Sequence, residues 1–198
     1  MDVDFYTYDG LVAGVDEAGR GPLAGPVFAA AVILPPDFSH DFLNDSKKLN
    51  EKKRLLLREY IEKKALAWAV AMVDADEIEK INILNAAIKA MHLALDKLNV
   101  EPDMIVVDGN KFKPYKNIPY KTIVHGDALI AQIAAASILA KTYRDDYMIE
   151  LAEKYPVYHW EKNKGYGTAQ HRQAILEHGL SPHHRKKFCG FYFQKRIF

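Results

Sequence analysis

The 198-residue chain contains one cysteine, and that scarcity excludes whole classes of chemistry. Cys189 cannot close an internal disulfide and has no Cys-x-x-Cys partner, so redox motifs and thiolate-rich zinc sites are ruled out. Long apolar runs are lacking too. Val27 to Leu34 and Leu66 to Val73 are too short to cross a bilayer, and no basic-then-apolar leader opens the chain. A cytoplasmic protein without membrane contact is therefore expected. Internal repeats and low-complexity linkers are also missing, and any metal must be held by oxygen and nitrogen ligands.

What remains is the composition of a folded globular chain, with 49% apolar, 27% charged and 11% aromatic residues. The net charge of +1 conceals an asymmetry. Residues 1–154 carry 19 basic against 24 acidic side chains, whereas 155–198 carry 8 against 2 together with five of the eight histidines and nine of the 22 aromatics. Basic side chains interleaved with aromatics suit a polyanion that offers stackable rings; a solvated basic helix surface is the competing reading. The composition changes at Tyr155-Pro156, so 1–154 is read as the main domain and 155–198 as a basic, aromatic helical appendage.

Apolar runs predict strands at Leu11 to Val15, Val27 to Leu34, Leu66 to Val73, Met104 to Val107 and, more weakly, Thr122 to Val124. Alternating steps of three and four through Ile78, Ile81, Leu84, Ile88, Met91, Leu95 and Leu98 predict one helix from Asp76, stopped by Pro102. Asn50 is placed to cap another, with Leu56, Leu57, Tyr60 and Ile61 inward, and a third runs from about Asp127 through Met148. Two strands first, then strands alternating with helices, predict an α/β mixed sheet with an opening hairpin and helices on its faces.

Three of those strands run into carboxylates: Asp16 and Glu17, Asp108, and Asp127. Neighbouring strand ends lie about 5 Å apart, so such side chains can converge although they are far apart in sequence. Gathered carboxylates repel one another unless a cation sits among them, and an all-oxygen set selects Mg²⁺ or Mn²⁺. Each acid also has an innocent reading. Asp108-Gly109 makes a good turn, Asp127 could cap the next helix, and Asp16-Glu17 could be a solvated strand end. The segment Gly19-Arg20-Gly21-Pro22-Leu23-Ala24-Gly25-Pro26 is neither a dinucleotide fingerprint nor a Walker loop, because a strand follows it and no Gly-Lys-Ser/Thr closes it. Its glycines can bring backbone groups against a sugar or phosphate, or merely turn the chain between two hairpin strands.

The stretch from Gly14 to Val27 resembles the signature of ribonuclease HII. Asp45-Ser46-Lys47-Lys48-Leu49, Val107-Asp108-Gly109, Gly126-Asp127-Ala128, Ala134 to Lys141, Lys164-Gly165-Tyr166-Gly167-Thr168 and His184-Arg185 resemble that family's further motifs, in the family's order. The resemblance implies a ribonuclease H-like fold: a mixed five-stranded sheet flanked by helices, with residues 155–198 completing the substrate cleft. It implies a metal-dependent endonuclease that hydrolyses the RNA strand of RNA–DNA hybrids and cuts 5′ of single ribonucleotides embedded in duplex DNA. Asp16, Glu17, Asp108 and Asp127 would then be the catalytic carboxylates, holding Mg²⁺ or Mn²⁺, two ions per site. Gly19, Arg20 and Gly21 would read the ribose 2′-hydroxyl, and Tyr166 would pack on the neighbouring deoxyribose. Ser46, Lys47, Lys48, His184 and Arg185 would grip phosphates, which positions a duplex without reading its sequence.

His125 stands where the family commonly has Lys before Gly-Asp, so a side chain that titrates near neutrality replaces a permanent cation. Contact with the substrate or an ion-held water, adding a pH dependence, is one expectation; a bystander role is the other. A resolvase-like nuclease of the same fold, a non-catalytic nucleic-acid-binding module and a small-molecule phosphohydrolase are the competing functions. The ribonuclease HIII group is set aside because it usually carries an extra N-terminal domain. A monomer is expected. A sliding-clamp partner and a docking role for Phe191 to Gln194 and Phe198 have no support in the sequence, and a place in the core is favoured for those aromatics.

Overall fold

A computed structural model describes residues 10–38 and 50–193. The strands are β1 (Val12–Ala18), β2 (Val27–Ile33), β3 (Ala67–Val73), β4 (Met104–Asp108) and β5 (Tyr120–Ile123). They form one sheet in the order β3-β2-β1-β4-β5. The opening hairpin is present, since β1 pairs antiparallel with β2 and β2 with β3, while β4 and β5 are added in parallel on the other side of β1. This is the expected mixed sheet with helices on its faces.

The period of two along β1 assigns its faces. Ala13 and Val15 join the cluster under α3 (Ile83–Asp96), and Gly14 faces α4 (Ala131–Lys154). A Cβ on Gly14 would lie 2.2 Å from the Gln132 carbonyl carbon, so the absent side chain is what lets α4 lie directly on β1. On the α4 face, α1 (Glu51–Lys64) closes a second cluster through Leu57 and Ile61, with Ala134, Ala135 and Ala136 packed tightly against β2.

Several predicted boundaries move, each for a local reason. β1 does not stop at Val15; the hairpin ladder continues through Asp16↔Ala30, Glu17↔Ala29 and Ala18↔Phe28, so both acids lie within the strand. The single helix predicted from Asp76 is two, α2 (Ala75–Ile81) and α3, broken at Asn82. Asn82 adopts φ +66 and ψ 165, a strained conformation for a residue with a side chain, and that side chain caps α3 by accepting from the Asn85 N–H at 3.1 Å. Asn50 does cap α1, accepting from the Lys53 N–H at 2.9 Å, but Leu56 points to solvent at 59% exposure. Asp127 does not cap α4, whose N-cap is Ile130. It sits in a 3₁₀ turn (Gly126–Ala128), and α4 begins three residues beyond that turn's end.

Beyond α4 come α5 (Trp160–Asn163), α6 (Ala169–His178) and α7 (Lys186–Phe193). Their apolar side chains share a cluster with Leu23 and Ala24 of the glycine segment and with Met148 and Leu151 of α4. Among the described residues, Tyr158, Trp160, His171 and His184 do not form a stacking platform. Tyr158 stacks on Trp160 at 5.0 Å between ring centres, and His171 and His184 are buried against that pair. Among the described residues, the exposed basic charge of the segment comes from Lys162, Arg172, Lys186 and Lys187.

Candidate active site

The parallel ladder pairs Val15 with Val107, so the next residues, Asp16 and Asp108, stand side by side where β1 and β4 meet. Asp127 is brought to them by the turn after β5, and its N–H donates to Asp108 Oδ1 at 3.4 Å. Glu17, one position along β1 and hence on its other face, borders a small pocket beneath α3 with Asp108, Arg20 and Asn110. Four carboxylates, two within β1, one closing β4 and one in the turn after β5, therefore gather at one end of the sheet.

Asp16 and Asp127 are buried. Burial raises the Asp16 carboxyl well above the usual carboxylate range; the charges of Glu17 and Asp108 push it further, while a hydrogen bond from Ser137 of α4 and the Glu17 N–H, 2.7 Å from Asp16 Oδ1, pull it down. Glu17 is raised by burial too, and the Arg20 guanidinium 3.0 Å from its Oε1 opposes that. Among the described residues, no three His, Cys, Asp or Glu side chains are drawn tightly enough to enclose an ion as they stand. The donor set nonetheless fits a hard divalent cation, for it is all oxygen and mutually repulsive.

Gly19 to Pro26 crosses above this edge, and Gly19 needs its freedom twice over: its φ is +93, and a Cβ would lie 2.0 Å from Arg144 Nε. Gly21 reaches Tyr166, with the position of a Cβ 3.9 Å from the ring. Tyr166 is 45% exposed and borders, with Glu17, Gly19, Ser137, Lys141 and Arg144, a cavity of about 250 Å³. The structure thus brings Gly19, Gly21 and Tyr166 to one opening beside the carboxylates.

Two expected phosphate grips are placed elsewhere. Arg185 is fully buried and spends its guanidinium on backbone carbonyls: Gly19 (2.7 Å), Arg20 (2.9 Å), Pro22 (3.0 Å) and Gly25 (2.9 Å). Burial and the like charge of Arg144 lower its ordinary pKa. His184 is 2% exposed and pushed down to about 3, first by burial and then by His171. Neither reaches a phosphate, since both are enclosed by the segment they support. Ser46, Lys47 and Lys48 lie outside the described residues, as do the side chains of Phe191, Tyr192, Phe193 and Phe198. His125 is exposed next to Asp127, in the left-handed region at φ +59.

Arg144 went unnoticed in the sequence, yet it carries a signal. Ala136, Ala140, Arg144 and Met148 recur at four-residue steps and all are buried, so a cation occupies an apolar stripe of α4.

The ribonuclease HII family pattern matches residues 13–193. A ribonuclease HII of Parabacteroides distasonis is 62% identical over 178 residues, 90% of this chain and 89% of that protein. One of Bacteroides thetaiotaomicron is 58% identical over 188 residues, 95% of this chain and 94% of its own. Among solved structures, ribonuclease H2 of Pyrococcus horikoshii superposes with a TM-score of 0.80 at 23% identity, covering 93% of this chain and 98% of that one. The Archaeoglobus fulgidus ribonuclease HII solved in complex with PCNA gives 0.74 at 24% identity, covering 88% and 93%. A ribonuclease HIII solved with Mn²⁺ gives 0.65 at 16% identity, covering 93% and 70%. These structures share the fold.

Proposed function

The chain belongs to the ribonuclease HII family, endoribonucleases of RNA–DNA hybrids, and from that premise we propose that it also cuts on the 5′ side of single ribonucleotides embedded in duplex DNA. The observation that carries this reading is the meeting of Asp16, Asp108 and Asp127 beneath a glycine segment that reaches Tyr166. Telling RNA from DNA at one nucleotide requires contact with the 2′-hydroxyl, and glycine backbone beside the acids can approach a sugar closely enough to make it. Gly19, Arg20 and Gly21 are assigned that contact, and Tyr166 the sugar that follows.

Asp16, Glu17, Asp108 and Asp127 would hold two Mg²⁺ or Mn²⁺ ions; a related ribonuclease HIII has been solved with Mn²⁺. When bound, such ions supply an activated water and stabilise the leaving 3′-oxygen, giving 5′-phosphate and 3′-hydroxyl ends. The chain's own part is to orient. Ser137 and the Glu17 N–H fix the Asp16 carboxylate, the Asp127 N–H fixes Asp108, and Arg20 restrains Glu17 until the ligand set closes. Lys47, with Ser46 and Lys48, is proposed to grip phosphate. His125 is proposed as a substrate contact; an unchanged pH–rate profile in His125→Lys removes it. A sliding clamp is a proposed partner because the Archaeoglobus protein was solved with PCNA.

The test is a labelled DNA duplex carrying one ribonucleotide, beside an all-DNA control, with Mg²⁺, Mn²⁺ or chelator, for the wild type and Asp108→Asn. A metal-dependent cut 5′ of the ribonucleotide, missing from the control and from the variant, is expected. Equal cutting of the all-DNA duplex would favour the resolvase-like reading instead.

A further inference from the structure

Two guanidiniums, not one, lie under the glycine segment. Arg144 donates from Nε to the Pro26 carbonyl (3.1 Å), from Nη2 to Ala24 (3.2 Å) and from Nη1 to Lys164 (3.0 Å). With the four carbonyls taken by Arg185, seven backbone oxygens are turned inward onto two side chains that are 2% and 0% exposed. No described carboxylate comes within ion-pair distance of either. Burying two cations without a counter-ion is costly, and fixed carbonyl dipoles recover that cost only while the geometry of every bond is kept. The cost is hard to explain for a segment whose sole task is to turn a hairpin.

The targets of Arg144 show what the geometry secures. Pro26 and Ala24 belong to the segment that carries Gly19 to Gly21, whereas Lys164 lies two residues before Tyr166. One planar fork thus spans both halves of the opening, and the Tyr166 ring sits 5.8 Å from the Arg144 guanidinium carbon. The two halves also meet directly. The Leu23 N–H donates to the Gly165 carbonyl at 2.8 Å, and a Cβ on Gly165 would lie 2.5 Å from the Ala24 oxygen. We propose that Arg144 is a specificity-positioning residue that sets the spacing between the Gly19–Gly21 backbone and Tyr166, and so gauges a ribonucleotide followed by a deoxyribonucleotide. Arg185 acts beside it by holding the Gly19 and Arg20 carbonyls inward, which leaves the remaining backbone groups of Gly19 to Gly21 for the substrate.

This inference rests on the functional reading above and deepens it. A gauge matters where the sugar changes from ribose to deoxyribose, and matters little in an uninterrupted RNA tract, where any of many phosphates can be cut. Arg144 touches none of the four carboxylates.

The experiment compares kcat/KM on a duplex with one embedded ribonucleotide and on a continuous RNA–DNA hybrid, for the wild type and Arg144→Lys, which keeps the charge and loses the fork. The expected result is a loss of at least about tenfold on the single-ribonucleotide duplex, with the hybrid cut within about threefold of wild type. Equal loss on both substrates, or loss on neither, overturns the proposal, because a merely structural arginine would lower the two together. If Arg144→Lys does not fold, as judged by circular dichroism, Arg144→Gln is read by the same ratio. A wild type that cuts the hybrid but not the single-ribonucleotide duplex would sink the functional reading itself, an outcome distinct from failure of the variant.

Discussion

His171 and His184 face each other Nε2 to Nε2 at 3.1 Å, buried beneath the residue that flanks the candidate cleft. The donors around them assign the tautomers. The Ser181 N–H donates to His184 Nδ1 at 2.9 Å, so His184 carries its proton on Nε2 and gives it toward His171. His171 Nε2 also accepts from Trp160 Nε1–H at 3.0 Å, so its own proton is on Nδ1, donated to the Tyr166 carbonyl at 2.9 Å. The chain of bonds ends on the backbone of Tyr166 and requires two neutral rings.

Acid should therefore weaken the fold through this pair. His184 is held down to about 3 and His171 is lowered as well, both chiefly by burial, while in the unfolded chain they take up protons near the ordinary value for imidazole. The unfolded state binds more protons in that window, so stability is complete above about pH 6.5 and is lost as pH falls toward 3. For His184 alone the loss from pH 7 to pH 5 is about 2 kcal/mol. Denaturant titrations at pH 7, 6 and 5 are expected to show a shallower dependence in His184→Gln, from a lower starting stability. Parallel slopes in the two proteins would refute the neutral pair.

Asp16 has the opposite sign. Its carboxyl is raised in the folded state, so the stability it contributes is full below the unfolded value and is lost as pH rises through the folded one. At pH 7 without divalent ions the charged form is a burden. Asp16→Asn is expected to raise the melting temperature there by at least about 2 °C, to lose that advantage in acid, and to lose cleavage altogether. Adding Mg²⁺ or Mn²⁺ should stabilise the wild type and leave the variant unmoved. A variant that melts no higher than wild type in chelator at pH 7 would contradict the assignment.

The features legible in the sequence were those that repeat or that punctuate. Strand runs, the Asn50 cap and the acids that follow apolar runs all leave a local pattern, and the parallel ladder then brings Asp16 to Asp108. Asn82 left none, because a left-handed break between Ile81 and Ile83 keeps the apolar stripe nearly in phase. Arg185 and His184 were misread for a different reason. Their partners are backbone carbonyls up to 166 positions away and an imidazole, which carry no residue code, so a basic, His-rich segment reads as surface while its key members are core.

Gly14 tests whether the contact between β1 and α4 positions the site. A methyl there meets backbone at 2.2 and 2.4 Å on Gln132 and Ile133, which cannot rotate away as a side chain could. Gly14→Ala is expected to cost about 1–3 kcal/mol and to shift the start of α4, taking Ser137 from Asp16. Gly190→Ala is the control: its added methyl meets nothing within 4 Å, so unfolding curves should show little change or a slight gain. Equal stability of Gly14→Ala and wild type would mean that α4 does not rest on β1 as described.

Ser137 links that helix to the chemistry, and its effect can be separated from folding. Its hydroxyl lowers the Asp16 carboxyl against burial and the two neighbouring charges, so Ser137→Ala should raise that carboxyl further. A carboxyl that keeps its proton to higher pH competes less well for a cation. The concentration of Mg²⁺ needed for half-maximal cleavage should thus rise in the variant near neutrality, by about threefold to tenfold for a hydrogen bond of ordinary strength. Its excess over wild type should shrink as pH increases and both proteins ionise. The measurement is a set of metal titrations of initial rate from pH 6 to pH 9. An offset that stays constant across that range would show that Ser137 acts on the fold alone and not on the Asp16 proton.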